Sequence, residues 1–226
     1  MKRIYFVVII SIFVFMLGFS GIIYAQTINR TEVGYMYSKL EDVNEILETS
    51  GFKALPNHHI YSGTYSLFEL GEMENLYIGI STSRSRTISR NYKNDIAVFS
   101  KSNFSGAVEY GFNITNDFEV TAGSSVGITV ARFETRRQFD SNINAPILGI
   151  LNPGNRVIMW KPYLTLAPYI NLSVKFELIS FDISAGYDFN VGISNWFDRM
   201  DSIENTEDVQ NMFNSGRIAV GFSLLF

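Results

Sequence analysis

The sequence predicts an all-β fold: an eight-stranded antiparallel transmembrane β-barrel with one short amphipathic helix after the first strand. Three observations predict this fold. Eight segments alternate bulky apolar residues with small or polar ones, which is the period of a β-strand. Long connections alternate with short turns along the chain. The apolar face is bulky and continuous, as contact with lipid requires, whereas a soluble barrel turns its apolar face inward.

The first 25 residues read as an export signal that is not part of the fold. Met1-Lys2-Arg3 is a short basic start, an apolar run extends from Ile4 to Ile23, and Ala25 offers a cleavage site before Gln26. This pattern is typical of a secretory signal peptide. The alternative is an uncleaved membrane anchor, because the run approaches the roughly 20 residues that span a bilayer. We therefore expect a signal peptide over 1–25 and one barrel domain over 26–226.

Composition excludes several classes of function. The chain has no cysteine, which excludes disulfides, thiolate metal sites and a cysteine nucleophile. Its net charge is −4, and loss of Lys2 and Arg3 with the signal leaves 16 basic and 22 acidic residues. An acidic chain argues against nucleic-acid binding.

The first strand and the helix are expected at the start of the mature chain. Residues 27–37 are β-prone and form the first strand. Ser38 and Glu41 fit a capping box that would begin a helix. The helical spacing that follows and the residue that ends it are Leu40, Val43, Ile46, Leu47 and Gly51. This helix either covers the barrel mouth or lies on the membrane rim.

The remaining strands are read from the period-two pattern. Residues 86–102, 134–156 and 190–215 are expected to be long polar loops, and short turns are expected at 71–75, at 115–117 and near Leu172-Ser173. The strands are expected at 59–70, 76–81, 104–114, 118–130, 158–171, 179–189 and 216–226. The register of the strands at 27–37 and 59–70 stays open, because apolar and polar residues do not alternate regularly in these two segments.

The terminal strand carries a resemblance to a known class of protein. Ile218, Val220, Phe222, Leu224 and Phe226 occupy every second position up to the C-terminus. This strand resembles the last strand of small, eight-stranded bacterial outer-membrane β-barrel proteins, OmpA/OmpX-like in architecture.

That resemblance implies a location and a set of partners. It implies a diderm bacterium, the outer membrane, and export through a cleaved signal peptide. Both termini would lie in the periplasm, and the terminal strand would pair with 27–37. Phe222, Leu224 and Phe226 would be the signal that the barrel-assembly machinery reads. The bilayer and lipopolysaccharide are the other expected partners, and we expect a monomer that binds no nucleic acid.

Five charged residues are expected to face the lumen: Glu109, Glu119, Lys161, Asp182 and Asp188. They alternate with the apolar residues of their strands. One interpretation is the lining of a narrow polar pore. The other is a structural plug, because eight strands enclose a space that side chains can fill. Lys161 is expected to be the only base deep in the strands.

A basic patch is expected in the second outer loop: Arg84, Arg86, Arg90, Lys93 and Lys101. These residues could contact anionic head groups or lipopolysaccharide phosphates. They could also pair with the acidic last loop, which carries Asp198, Asp201, Glu204, Glu207 and Asp208, or remain solvated.

The only histidines are His58 and His59. A hydrolytic enzyme needs a base, usually histidine, so this pair is the one candidate for catalysis. Adjacent histidines on a strand point to opposite faces and chelate a metal poorly. We interpret both as exposed loop residues and expect no catalytic residue, no metal and no cofactor.

Three functions remain from these observations. The first is a non-catalytic surface or structural protein whose outer loops contact a partner or lipid. The second is a narrow pore for small solutes. The third is an outer-membrane lipid-modifying enzyme or protease.

Overall fold

Eight antiparallel strands follow one another around a ring in chain order in the computed structural model, which describes residues 27–70, 73–137, 156–194, 196–198, 201–202 and 213–226. The predicted signal peptide lies outside these ranges. The elements are β1 Thr27–Ser38, α1 Glu41–Thr49, β2 His58–Glu69, β3 Leu76–Arg90, β4 Ile96–Asn113, β5 Phe118–Arg136, β6 Arg156–Phe176, β7 Ile179–Gly192 and β8 Ser215–Leu225. Two short segments, Phe197–Asp198 and Asp201–Ser202, pair beside β6.

The ring is closed by β1 and β8, which confirms the predicted pairing of the first and last strands. Their register joins Ile28 to Leu225 and Ser38 to Ser215. Beyond the last strand residue, the Thr27 and Phe226 backbones donate to each other at 2.9 and 3.0 Å. Closure leaves no open strand edge, as a span through hydrocarbon requires.

The strands are strongly tilted. A row of paired residues that leaves β7 at Phe181 passes through β8 and then β1 to β6, and it returns to β7 at Val191, ten residues further along. With eight strands, a spacing of about 4.8 Å and a rise of about 3.3 Å per residue, this offset corresponds to a tilt of about 40°.

The two faces of the ring differ in chemistry. Bulky apolar side chains on β4 to β8 point outward, for example Phe104, Leu166 and Phe222, each about half exposed. Small, charged and tyrosine side chains fill most of the inside. This distribution confirms the predicted fold class. Within the described ranges, no helix has the length and hydropathy that a membrane crossing needs.

We call the end with the connections 39–57, 91–95, 137–155 and 193–214 the outer end, and the opposite end the inner end. The expected loop at 86–102 is wrong, because β3 and β4 continue as a paired hairpin to Arg90 and Ile96. Asn91 and Asp95 close its five-residue turn through a backbone bond of 3.1 Å. The turn expected near Leu172-Ser173 lies instead at Glu177-Leu178, where Glu177 has φ 47°.

The predicted capping box is also wrong. Ser38 belongs to β1 and its hydroxyl bonds the Ser215 hydroxyl at 2.7 Å, so it is engaged across the β1–β8 seam. The helix begins after Leu40 without a side-chain cap. Its C-terminus is as predicted: Gly51 has φ 79°, and Phe52 N–H donates to the Leu47 carbonyl at 2.8 Å, which is a Schellman end.

The helix covers the barrel mouth, so the structure decides between the two locations left open. Val43 and Leu47 are buried in a cluster with residues from the ends of β4, β5 and β6. We call this cluster the apolar cap. Its buried members are Leu40, Val43, Leu47, Leu55, Ala97, Phe99, Ala131, Phe133, Tyr163, Trp196 and Phe213.

We expect Gly34→Ala to weaken closure of the ring. A Cβ added at Gly34 would lie 2.1 Å from the Ile218 carbonyl oxygen and 2.5 Å from the Ala219 Cα, both backbone atoms of β8. Overpacking of this kind typically lowers the free energy of unfolding by about 1–3 kcal/mol. The measurement is urea unfolding of the refolded protein in lipid vesicles.

Gly106→Ala is the matched control. Gly106 faces outward on β4, and the nearest atom to an added Cβ is 4.0 Å away. We expect a change within about 0.5 kcal/mol there. Equal effects of the two substitutions would show that the β1–β8 seam tolerates a side chain at Gly34.

Candidate functional site

The inner half of the lumen contains a buried ion pair. Both guanidinium NH2 groups of Arg30 donate to the Glu109 carboxylate, at 2.8 and 3.1 Å. The Tyr169 hydroxyl donates to the same carboxylate at 2.6 Å. All three side chains are buried. The arrangement ties β1, β4 and β6 together across the barrel.

A second ion pair lies nearer the outer end. Arg217 of β8 donates to Asp188 at 3.1 Å and to the Tyr65 hydroxyl at 3.0 Å. Beside it, Glu32 accepts from the Tyr61 hydroxyl at 2.6 Å and from Ser184 at 2.7 Å. Each carboxylate therefore has a donor, which is the condition for burying charge without a large penalty.

The inner end of the lumen is closed by two further carboxylates. Asp182 accepts from the hydroxyls of Ser173 and Ser223, each at 2.6 Å. Glu119 lies 3.3 Å from the Lys175 ammonium. These hydroxyl donors stabilise the negative charge of Asp182 by hydrogen bonds instead of by a directly bonded cation.

The structure places Glu109, Glu119, Lys161, Asp182 and Asp188 on the inward face and buried. It does not gather them at one point, because they are spread along the barrel. Glu109 and Asp188 are held by the two arginines, and Lys161 lies beside the apolar cap, 5.7 Å from the Tyr163 ring centre.

The expectation that Lys161 is the only base deep in the strands is wrong. Arg30, Arg217 and Lys101 are also buried inside the barrel. The alternation of faces along a strand could have located Arg30 and Arg217. Val33 and Ile218 point outward, so residues an odd number of positions away on the same strand point inward. Arg30 was missed because the register of the first strand stayed open.

Lys101 does not belong to the basic patch of the outer surface. It is 4% exposed and its ammonium donates to the Ser215 hydroxyl inside the barrel. The reason is the unexpected length of β4, which begins at Ile96 and carries Lys101 on its inward face. The Phe213 ring of the apolar cap lies 5.9 Å from the ammonium.

Arg84, Arg86 and Arg90 lie on β3 and point outward, and all three are exposed. Lys93 lies in the turn beyond them and is exposed too. We call Arg84, Arg86 and Arg90 the arginine column. On the outward face of the same strand, Thr82 separates the column from the apolar residues Ile78 and Ile80.

The two histidines point to opposite faces, as predicted, but the expectation that both are exposed loop residues is wrong. His58 is exposed beside the Tyr37 ring, 5.4 Å away. His59 is fully buried, with Phe99 edge-on at 5.6 Å. Neither His59 ring nitrogen has a hydrogen-bond partner among the described residues, so no serine–histidine bond is formed there.

Metal binding finds no support in the described ranges, where no three His, Asp or Glu side chains lie together closely enough to hold an ion. The side chains of Phe222 and Phe226 point outward at the inner end of β8, 48% and 70% exposed, with Leu224 between them. This places the candidate assembly signal on the surface.

Comparisons with protein-family models and with curated proteins found no match. Solved structures do match. Neisserial surface protein A (NspA) is 9% identical, over 89% of this chain and 97% of that chain, with a TM-score of 0.53. Ail, the attachment invasion locus protein of Yersinia pestis, in complex with the heparin analogue sucrose octasulfate, is 10% identical, over 90% of this chain and 100% of that chain, with a TM-score of 0.51.

These similarities concern the fold alone. The chain has the eight-stranded antiparallel barrel architecture of these small outer-membrane barrels. At 9 and 10% identity, no residue role is transferred from either structure.

We expect Glu109→Ala to be strongly destabilising. It leaves the Arg30 guanidinium buried without its carboxylate, and breaking such a pair from one side typically lowers the free energy of unfolding by about 3–5 kcal/mol. The measurement is again urea unfolding in vesicles. The double variant Arg30→Met with Glu109→Leu should lose less than the single one, because it removes both charges.

Glu41→Ala provides the control. Glu41 and Lys39 are 4.0 Å apart and mostly exposed, so we expect no measurable change. Comparable losses for Glu109→Ala and Glu41→Ala would contradict a structural role for the buried pair.

Proposed function

We propose that the chain is an outer-membrane surface protein without catalytic activity, whose arginine column binds the phosphates of lipopolysaccharide. The barrel is then a rigid frame, filled by its own ion pairs. The observation that carries the proposal is the column itself: three exposed arginines on the outer half of one strand.

The surroundings of the column support an anionic ligand. The residues paired with Arg84 are Ser62 and Ser102, and those paired with Arg86 are Ile60 and Ser100. Among the described residues, no carboxylate lies opposite either arginine and neither forms an ion pair within 4.0 Å. Arginine on alternate positions of a strand presents charges about 6.6 Å apart, and its long side chain can carry the charge up toward the head groups.

The filled lumen argues against the narrow pore. The ion pairs of Arg30 and Arg217 cross the interior at two levels, and the apolar cap covers the outer mouth. His59 is buried beside Phe99 of that cap and has no bonded serine among the described residues, which argues against the enzyme.

We expect Arg84→Ser with Arg86→Ser to weaken binding of purified protein to fluorescent lipopolysaccharide by about 30-fold. This corresponds to about 1 kcal/mol for each charge near an anionic surface. Binding is measured at two salt concentrations, because an electrostatic contact weakens as salt rises. Sucrose octasulfate, the ligand in the Yersinia Ail structure, serves as a competitor that carries sulfates without lipid.

Lys39→Ser with Lys53→Ser is the matched control, since it removes the same charge from exposed positions around the helix. We expect less than a threefold change there. Equal losses in both double variants would indicate binding by net charge alone and would contradict a site at the arginine column.

We also expect the purified full-length mature protein to show no resolved single-channel steps in planar bilayers. The physical reason is that the lumen is occupied by buried, hydrogen-bonded side chains at several levels. A reproducible conductance step that is abolished by enlarging a lumen residue, Ser184→Phe, would contradict the filled lumen and favour the pore.

A further inference from the structure

Part of the outward face of β1 to β3 is polar, at positions where the other strands carry apolar side chains. We call this region the hydroxyl patch, and its members are Asn29, Thr31, Ser62, Thr64, Ser66 and Thr82. On β2 the usual pattern is reversed, because the bulky Tyr61, Tyr65 and Leu67 are buried inside. The small polar residues between them therefore point outward.

The patch lies within the apolar band and not above it. Three threonines interrupt a row of paired outward residues that is apolar on both sides. In order, the row is Phe222, Thr31, Thr64, Thr82, Phe104, Ile128 and Leu164. Toward the outer end on β1, Val33 and Tyr35 follow, both more than half exposed. Because the strands are tilted, the row climbs toward the outer end as it goes round, so the three threonines lie above Phe222 and below Phe104, at the level of lipid chains.

Part of the hydrogen-bonding capacity of the patch is used internally. The Thr64 and Thr82 hydroxyls bond each other at 2.8 Å, and the Ser66 hydroxyl donates to the side-chain amide oxygen (Oδ1) of Asn29 at 2.6 Å. The amide NH2 of Asn29 and the hydroxyls of Thr31 and Ser62 make no side-chain bond within the described ranges. Lipid chains offer them no partner.

We propose that the hydroxyl patch is the interface of a homodimer in the membrane. A hydroxyl is both donor and acceptor, so a surface of hydroxyls is complementary to a second copy of itself, as a two-fold interface requires. The side chains of the patch are small and line a shallow groove of about 340 Å³ with Thr31, Thr64 and Thr82 along it, and Arg84 of the arginine column borders the same groove. Small residues let two backbones approach closely, which favours association within a bilayer.

The patch favours a second copy over lipid for a further reason. Lipid chains would pack against β4 to β8, whose outward side chains are bulky and apolar, at least as well as against β1 to β3. A lipid chain offers no hydrogen bond to three threonine hydroxyls in the middle of an apolar row, so their contact with lipid is unfavourable. The proposed dimer differs from the monomer that we expected from the sequence. In this dimer the arginine column would lie at the edge of the interface.

The test is chemical cross-linking at a single introduced cysteine. The chain has no cysteine of its own, so the introduced thiol is the only one that reacts. Met73→Cys places it in the exposed turn between β2 and β3, at the inner end below the patch. Asn116→Cys places it in the equivalent turn between β4 and β5, two strands further round the barrel. Each protein is reconstituted in phosphatidylcholine vesicles at low density and treated with a short bifunctional maleimide.

We expect a covalent dimer from Met73→Cys and at least tenfold less from Asn116→Cys. Adding Thr64→Val and Thr82→Val to Met73→Cys should lower the dimer yield about tenfold, because the contributions of hydroxyls to association in membranes are of this order. Adding Thr64→Ser and Thr82→Ser instead keeps the hydroxyls and should retain the dimer. The faster migration of unheated samples on gels verifies that each variant is folded.

Several results would overturn the proposal. Equal yields from the two thiols would indicate random collision, and a dimer from Asn116→Cys alone would place the contact on another face. An unchanged yield in the valine variant would remove the hydroxyls from the interface. No dimer in pure vesicles, with an adduct of a different mass in native membranes, would assign the patch to another protein.

Discussion

Closure of the backbone hydrogen-bond ring is the constraint on which the rest of the structure depends. Once β1 pairs with β8 and the rows return to their strand ten residues displaced, the number of strands and this offset set tilt and radius. The radius in turn sets how much space the inward side chains must fill. The close approach of Gly34 to the Ala219 backbone shows how tightly the seam is made.

A narrow closed ring makes the lumen an interior, and its charges are satisfied as buried charges must be. Arg30 and Arg217 each bind a carboxylate and lie against tyrosine rings, at 5.5 Å for Tyr65 and Arg30 and 5.4 Å for Tyr61 and Arg217. The apolar cap then separates this polar interior from the outer end. The lumen below the cap therefore combines ion pairs with smaller clusters of buried tyrosine and aliphatic side chains, whereas the cap itself is apolar.

The surface features of interest all occur on one side of the barrel. The arginine column and the hydroxyl patch share β3, where Thr82 is followed directly by Arg84 at the next outward position. Both arise because polar side chains interrupt the outward face of β1 to β3, while β4 to β8 present the bulky apolar surface that lipid contact needs. A lipid head-group site beside a dimer interface is compatible with this arrangement, since the arginine column continues along β3 toward the outer end from Thr82.

The sequence by itself determined the number and direction of the strands, the closing pair, and which residues of β4 to β8 face outward, because period two is a local property of each strand. It also located Gly51 as the helix end. Only the tertiary structure decided the length of the β3–β4 hairpin and the burial of Lys101 and His59, since polar residues at the outer end of a strand read as loop until their partners are known. Contacts between segments far apart in the chain also decided which face of β2 is buried and where the helix packs. A local sequence pattern contains no information about such contacts.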